Sequence, residues 1–126
     1  MSEAILEVKD LCVTFHGRRR DVEAVRSCSI HLCAGEVLGI VGESGSGKSQ
    51  LSLACMGLTA GNGDVSGSIR LAGQELVDAD KEVIRDLRGD KIAMIFQNPM
   101  TALNPFYRVG EQLADILRVH HDMSEQ

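Results

Sequence analysis

Gly42-Glu43-Ser44-Gly45-Ser46-Gly47-Lys48-Ser49 is the stretch whose residue types and spacing could do chemistry. It fits G-x-x-x-x-G-K-[ST], a loop whose main-chain N–H groups cradle phosphates. Glycines at 42, 45 and 47 permit the positive or cramped backbone angles that wrap a loop around an anion, and their missing side chains let N–H groups approach phosphate oxygens. A helix starting near Lys48 would aim its unpaired N–H groups and positive dipole end at the same point. Lys48 would meet the β- and γ-phosphates as a point charge, and the Ser49 hydroxyl would ligate Mg²⁺. A flexible Gly/Ser turn is the plain alternative, but a turn gives no reason to place Lys-Ser where a helix begins.

The flanking pattern supplies the elements that must position this loop. Residues 37–41, Val-Leu-Gly-Ile-Val, are an apolar run suited to a strand covered on both faces, as in parallel sheets. After the loop, Leu51, Ala54, Cys55 and Leu58 fall at i, i+3, i+4 and i+7, which predicts a helix with one buried stripe. Upstream, residues 5–15 change parity near Asp10, predicting a strand with a bulge or kink, and residues 22–32 alternate well; together they read as a half-exposed antiparallel pair. Residues 59–67 hold Gly61, Gly63 and Gly67 and read as a loop before a short strand at residues 68–71 and a turn at Gly73. A short helix is expected over residues 81–87, a second buried strand over residues 92–96, and an amphipathic helix from about Val109 with Leu113, Ile116, Leu117 and His120 on one face.

Two more residues bear on the choice of nucleotide machine. Phe15 ends a strand ahead of the loop, where an aromatic could stack on an adenine face or serve as an ordinary core or turn residue. Gln97 follows the second apolar run, where a parallel sheet presents its ligand-facing edge. Its amide could coordinate Mg²⁺ or orient water, or it could be a solvated loop side chain. A GTPase would need N-K-x-D, which does not occur, although Asp64-Val65-Ser66-Gly67 and Asp86-Leu87-Arg88-Gly89 match its short D-x-x-G element. A small-molecule kinase has no positive support.

Gly42 through Gln50, Met56-Gly57-Leu58, Met94-Ile95-Phe96-Gln97-Asn98-Pro99-Met100-Thr101-Ala102-Leu103-Asn104-Pro105 and Arg108-Val109-Gly110-Glu111-Gln112 resemble the ATP-binding subunits of ABC importers, in the oligopeptide/dipeptide permease branch. The resemblance runs over nearly the whole chain. It implies an α/β P-loop NTPase core, a parallel sheet with helices plus an N-terminal antiparallel β subdomain, incomplete within these 126 residues. It makes Phe15 the adenine-stacking aromatic, residues 42–49 (with Gln50 beside them, where many family members have Thr) the Walker A loop for ATP and Mg²⁺, and Gln97 the Q-loop glutamine. Lys48 and Gln97 are the implied catalytic residues, and Ser49 and Gln97 the implied Mg²⁺ ligands. No L-S-G-G-Q signature, no apolar strand ending in Asp-Glu and no switch histidine occurs, and none of His16, His31, His120 or His121 matches that last position. Residues 1–126 therefore read as the N-terminal part of one nucleotide-binding domain, not expected to turn over ATP alone. The resemblance implies a second ATP-binding subunit, transmembrane permease subunits, an extracytoplasmic solute-binding protein as an indirect partner, and a peripheral place at the cytoplasmic face of the inner membrane. Nickel importers of the same branch share much of this pattern, and a nucleotide-binding module without hydrolysis is the other alternative.

Composition agrees with a packed core and excludes several classes. The 126 residues are 44% hydrophobic and 25% charged, close to globular averages, which argues against a disordered or collagen-like chain. A net charge of −5 offers no global field for nucleic acid, and Arg18-Arg19-Arg20 reads as a solvated turn. The beginning of the chain lacks a signal-peptide pattern, and no apolar run approaches the roughly 18 residues of a membrane span. The four cysteines lack C-x-x-C spacing and should stay reduced. Cys28, His31 and Cys33 would not share one face of a strand, and His120-His121 would diverge on a helix, so neither is read as a metal site.

Overall fold

The computed structural model describes residues 3–121, the side chain of His121 excepted. The chain divides into two compact units, one reaching Asp80 and the other starting at Lys81.

The first unit is built on a four-stranded antiparallel sheet in the order β2-β1-β3-β4, with β1 Ala4–Phe15, β2 Val22–Cys33, β3 Gly63–Leu71 and β4 Gln74–Glu75. The expected β1–β2 pair is present, running from Ala4 opposite Cys33 to Phe15 opposite Val22. The kink expected near Asp10 is a feature of three strands at once. Asp10 in β1, Ser27 in β2 and Gly67 in β3 all have positive φ, at 48°, 45° and 96°. Asp10 donates its N–H to Ser29 Oγ at 2.9 Å and Ser27 donates its N–H to Cys12 Sγ at 3.3 Å, so side chains take up ladder donors that the bulge releases. The fully buried side chains are Val8, Leu11, Val13 and Ile69, from β1 and β3. Burying each contributes roughly 1.5–3 kcal/mol.

β3 corrects one expectation. Residues 63–67 are strand, not loop: Gly63 pairs with Phe15 and Val65 with Val13 of β1, and neighbouring groups crowd the space a Cβ on Gly63 or Gly67 would take. Helix α1, Lys48–Cys55, buries Leu51, Ala54 and Cys55 as its periodicity predicts. Leu58 falls outside it: Gly57, at φ 66°, ends the turn, and Leu58 is 37% exposed.

The two apolar runs differ from expectation most. Residues 37–41 form no strand, and Val37 and Val41 are 97% and 98% exposed. Residues 92–96 make one parallel bridge, Arg88 with Ile92, and Ile95 is 91% exposed. A parallel ladder needs a neighbouring strand on at least one side, and among the described residues neither run has one.

In the second unit, α2 Lys81–Leu87 keeps Val83, Ile84 and Leu87 half-buried on one face. A 3-10 helix follows at Pro99–Ala102, then α3 at Val109–His121. Gln112 fastens α3 to the segment before it: its Oε1 accepts from the Asn104 N–H at 2.9 Å, and its Nε2 donates to the carbonyl oxygens of Asn104 and Tyr107, each at 3.0 Å. On α3, Leu113, Ile116 and Leu117 stand about half exposed. No described helix is long and apolar enough to cross a membrane.

Candidate functional site

Residues 42–49 lie in the first unit and run into the start of α1. Gly47 is the N-cap, with φ 99°, and supplies no side-chain cap; the first turn holds no acidic residue. Among the described residues the positive end of the helix is therefore left without a capping side chain or a first-turn carboxylate, which is the electrostatic arrangement that receives an external anion. The first intrahelical bond runs from the Leu51 N–H to the Gly47 carbonyl at 2.9 Å.

Lys48 curls back over the loop. Its ammonium donates to the carbonyl oxygens of Gly42 and Glu43, the second at 2.7 Å, and to Ser46 Oγ at 3.2 Å. A further bond, Ser46 N–H to the Glu43 carbonyl at 3.1 Å, closes the turn beneath it. The charge thus sits inside the curve of the loop and, among the described residues, is held by neutral acceptors alone. A carboxylate or phosphate oxygen would be a stronger partner for it than any of the three.

Close packing requires glycine at 47, where the neighbour is backbone, and crowds Gly42 only against the end of a side chain. A Cβ on Gly42 would lie 2.6 Å from Ser46 Oγ and one on Gly47 2.2 Å from the Ala24 carbonyl oxygen. Gly45, at φ 82°, has no atom within 4 Å of such a Cβ, so its requirement is conformational and its outer side is open. Oε1 of Gln50 is buried with no hydrogen-bond partner among the described residues. Ser49 is exposed in the first turn. A cradle without side chains, an uncapped helix start, a lysine on neutral acceptors and a serine hydroxyl beside it fit a phosphate group with a divalent cation.

The loop borders a cavity of about 540 Å³, with residues 23–26 and Cys28 of β2 on one side and Ile40, Val41, Gly42 and residues 45–48 on the other. The β2 wall was not foreseen. Only the spacing of the loop is local in sequence, whereas the touch between Gly47 and Ala24 depends on tertiary packing.

Phe15 is not among the residues lining that cavity. It ends β1, and its ring edge and Thr59 Cγ2 would lie 2.8 Å and 2.7 Å from a Cβ on Gly63. The next residue is held on both sides: His16 Nε2 meets Asp64 Oδ2 at 2.6 Å and Nδ1 meets Asp21 Oδ1 at 3.1 Å. These contacts, chiefly the hydrogen bond with Asp64 and then that with Asp21, raise the imidazole above the usual histidine range. Gln97 belongs to the second unit, exposed just ahead of the 3-10 helix. His120 approaches Gly89, and the side chain of His121 lies outside the described residues.

Comparison with known proteins bears on the same residues. A family model described as "ABC transporter" matches residues 25–126, which include the loop, Gln97 and α3. The oligopeptide transport ATP-binding protein OppD of Escherichia coli is 52% identical over 124 residues, covering 98% of this chain and 37% of that protein. OppD of Salmonella typhimurium is 51% identical over 124 residues, with the same coverage. The dipeptide transport ATP-binding protein DppD of Lactococcus lactis is 46% identical over 120 residues, covering 94% of this chain and 34% of that protein. The chain spans little more than a third of the length of these relatives. With the loop, its lysine and its helix arranged for phosphate, and the match running from β2 to the end of the chain, this chain belongs to the ABC transporter family.

Proposed function

We propose that the chain is the ATP-binding portion of an ABC importer subunit, and that the whole protein couples ATP binding and hydrolysis to uptake of oligopeptides or dipeptides. The observation that carries this reading is Lys48 held on neutral acceptors inside a glycine loop at an uncapped helix start. The relatives, named for oligopeptide and dipeptide transport, supply the cargo class. Residues 1–126 form the N-terminal part of one nucleotide-binding domain. In the whole protein, residues 37–41 and 92–96 enter a parallel sheet covered by helices, which accounts for apolar residues as exposed as Val37 and Ile95.

In this reading the amides of residues 42–49 bind the triphosphate, and Lys48 moves from the carbonyl oxygens of Gly42 and Glu43 to the β- and γ-phosphates. Ser49 would hold Mg²⁺, which when bound would neutralise charge on the phosphates. Glu43, Ser44, Ser46 and Gln50 shape the loop and its rim. Phe15 stacks on adenine. Gln97 takes the role of the family's Q-loop glutamine, at Mg²⁺ or the attacking water. The partners are a second ATP-binding subunit and transmembrane permease subunits, with an extracytoplasmic solute-binding protein acting through them, at the cytoplasmic face of the membrane.

Calorimetric titration with Mg-ATP, together with phosphate release, tests the proposal. Wild type is expected to bind ATP, and Lys48→Ala to lose at least about tenfold in affinity, the value of roughly one charge-assisted contact. Unchanged affinity in Lys48→Ala would remove the loop from the nucleotide site.

A further inference from the structure

We propose that His16, as an imidazolium, is a positioning residue for the adenine side of the nucleotide site: it pins the end of β1, and with it Phe15, between the β1–β2 turn and β3. The inference rests on the reading of Phe15 as the base-stacking aromatic and adds the residue that holds it in place.

Both ring nitrogens of His16 face carboxylate oxygens, Nδ1 toward Asp21 at 3.1 Å and Nε2 toward Asp64 at 2.6 Å. A neutral imidazole carries one N–H, so in that form one nitrogen would turn a lone pair toward a carboxylate. Only the doubly protonated ring donates to both. The main chain of the same residue is tied as well: its N–H donates to the Asn62 carbonyl at 2.9 Å, and Asn62 Nδ2 donates to the His16 carbonyl at 3.3 Å. Four contacts therefore hold a residue whose immediate predecessor is Phe15.

The ring of Phe15 lies against Gly63, between Asn62 and Asp64, the residues His16 grips on that side. Phe15 pairs with Gly63 on β3 and with Val22 on β2, where Asp21 precedes Val22. Opening the clamp would release both neighbours of the aromatic. The charged groups in direct contact with the imidazole are Asp21 from the turn and Asp64 from β3; Arg18, Arg19 and Arg20 lie exposed in the same turn.

The raised imidazole sets the sign. The clamp is complete below the usual histidine range and is lost as pH rises through the raised value. None of the described hydrogen bonds of residues 42–49 comes from His16, so the phosphate grip stays constant while the adenine contribution varies.

The test compares Mg-ATP with magnesium tripolyphosphate, which has the phosphates and no base, by calorimetry from about pH 6 to about pH 9. In wild type the ratio of ATP to tripolyphosphate affinity is expected to fall about fivefold over that range, a fraction of a full stacking contribution. His16→Ala is expected to give the low ratio at every pH, and His16→Lys, a cation throughout, to restore a high and flat ratio. Unchanged tripolyphosphate binding reports an intact loop in each variant. A wild-type ratio and pH profile in His16→Ala, with a lowered ratio in Phe15→Ala, would overturn the role of His16 alone. An unchanged ratio in Phe15→Ala would overturn the stacking reading and this inference with it. If His16→Ala binds neither ligand, the wild-type profile decides, and a ratio that does not vary with pH refutes the clamp.

Discussion

A Cβ built on Gly47 would lie 2.2 Å from the backbone oxygen of Ala24, so the last glycine of the phosphate loop touches β2 main chain to main chain. Gly47 also has φ 99°. Gly47→Ala must therefore bear both a left-handed backbone and a collision that only movement of β2 or the loop relieves. A loss of about 2–4 kcal/mol in stability is expected from strain and overpacking together, with loss of nucleotide binding. Gly45→Ala, at φ 82° but in open space, is expected to cost only about 1–2 kcal/mol. Chemical denaturation of the two variants side by side checks the contrast, and equal losses would contradict it.

Gly67 does for the sheet what Gly47 does for the loop. A Cβ there would meet the carbonyl oxygens of Asp10 at 2.4 Å and Lys9 at 2.7 Å, across the bulge shared by β1, β2 and β3. Gly67→Ala is expected to destabilise the first unit by about 2 kcal/mol or more, since neither oxygen belongs to a mobile side chain. Thermal melting followed by circular dichroism measures it.

Glu75 ties the β3–β4 hairpin together. Burial pushes its carboxyl up, but the Ser68 hydroxyl, the N–H groups of Ile69 and Val77 at 2.9 and 3.1 Å, and the Arg70 charge outweigh that and leave it below its usual value. A lowered folded value contributes stability that is present at neutral pH and lost as pH falls through it. Wild type is expected to lose melting temperature below about pH 4 more steeply than Glu75→Gln, which should cost about 1 kcal/mol at neutral pH after solvent screening. Parallel acid profiles would remove the hairpin role.

Burial, with a smaller contribution from Cys28, pushes the Cys55 thiol up to about 11. Cys12, Cys28 and Cys33 are only half-buried. An aromatic disulfide reagent near neutral pH is expected to label Cys55 last, and to label it readily once denaturant opens the fold. Mass mapping of the labelled peptides gives the order.

The parts of the fold that sequence made legible are those with a local cause. Alternation in β1 and β2 exposes a half-buried antiparallel pair, and the i, i+3, i+4 spacing of Leu51, Ala54 and Cys55 exposes α1. Gly63 and Gly67 misled because glycine reads as loop punctuation, whereas here it makes room for the Phe15 ring and the Asp10 carbonyl inside a strand. Residues 37–41 carry a strand's composition, but composition does not supply the neighbour a ladder requires, and Val37 and Val41 stay exposed. The phosphate loop was legible because its spacing is contiguous. The β2 wall beside it was not, nor was the pairing of His16 with Asp64, 48 positions away.

The most direct measurement of the central claim is a backbone amide titration by ¹H–¹⁵N NMR with Mg-ATP. Binding through main-chain donors predicts that the largest shifts fall on Gly45, Gly47, Lys48 and Ser49, and that Lys48→Ala abolishes them. ATP binding with those four amides undisturbed, or with the largest shifts on β3 and β4, would contradict the account.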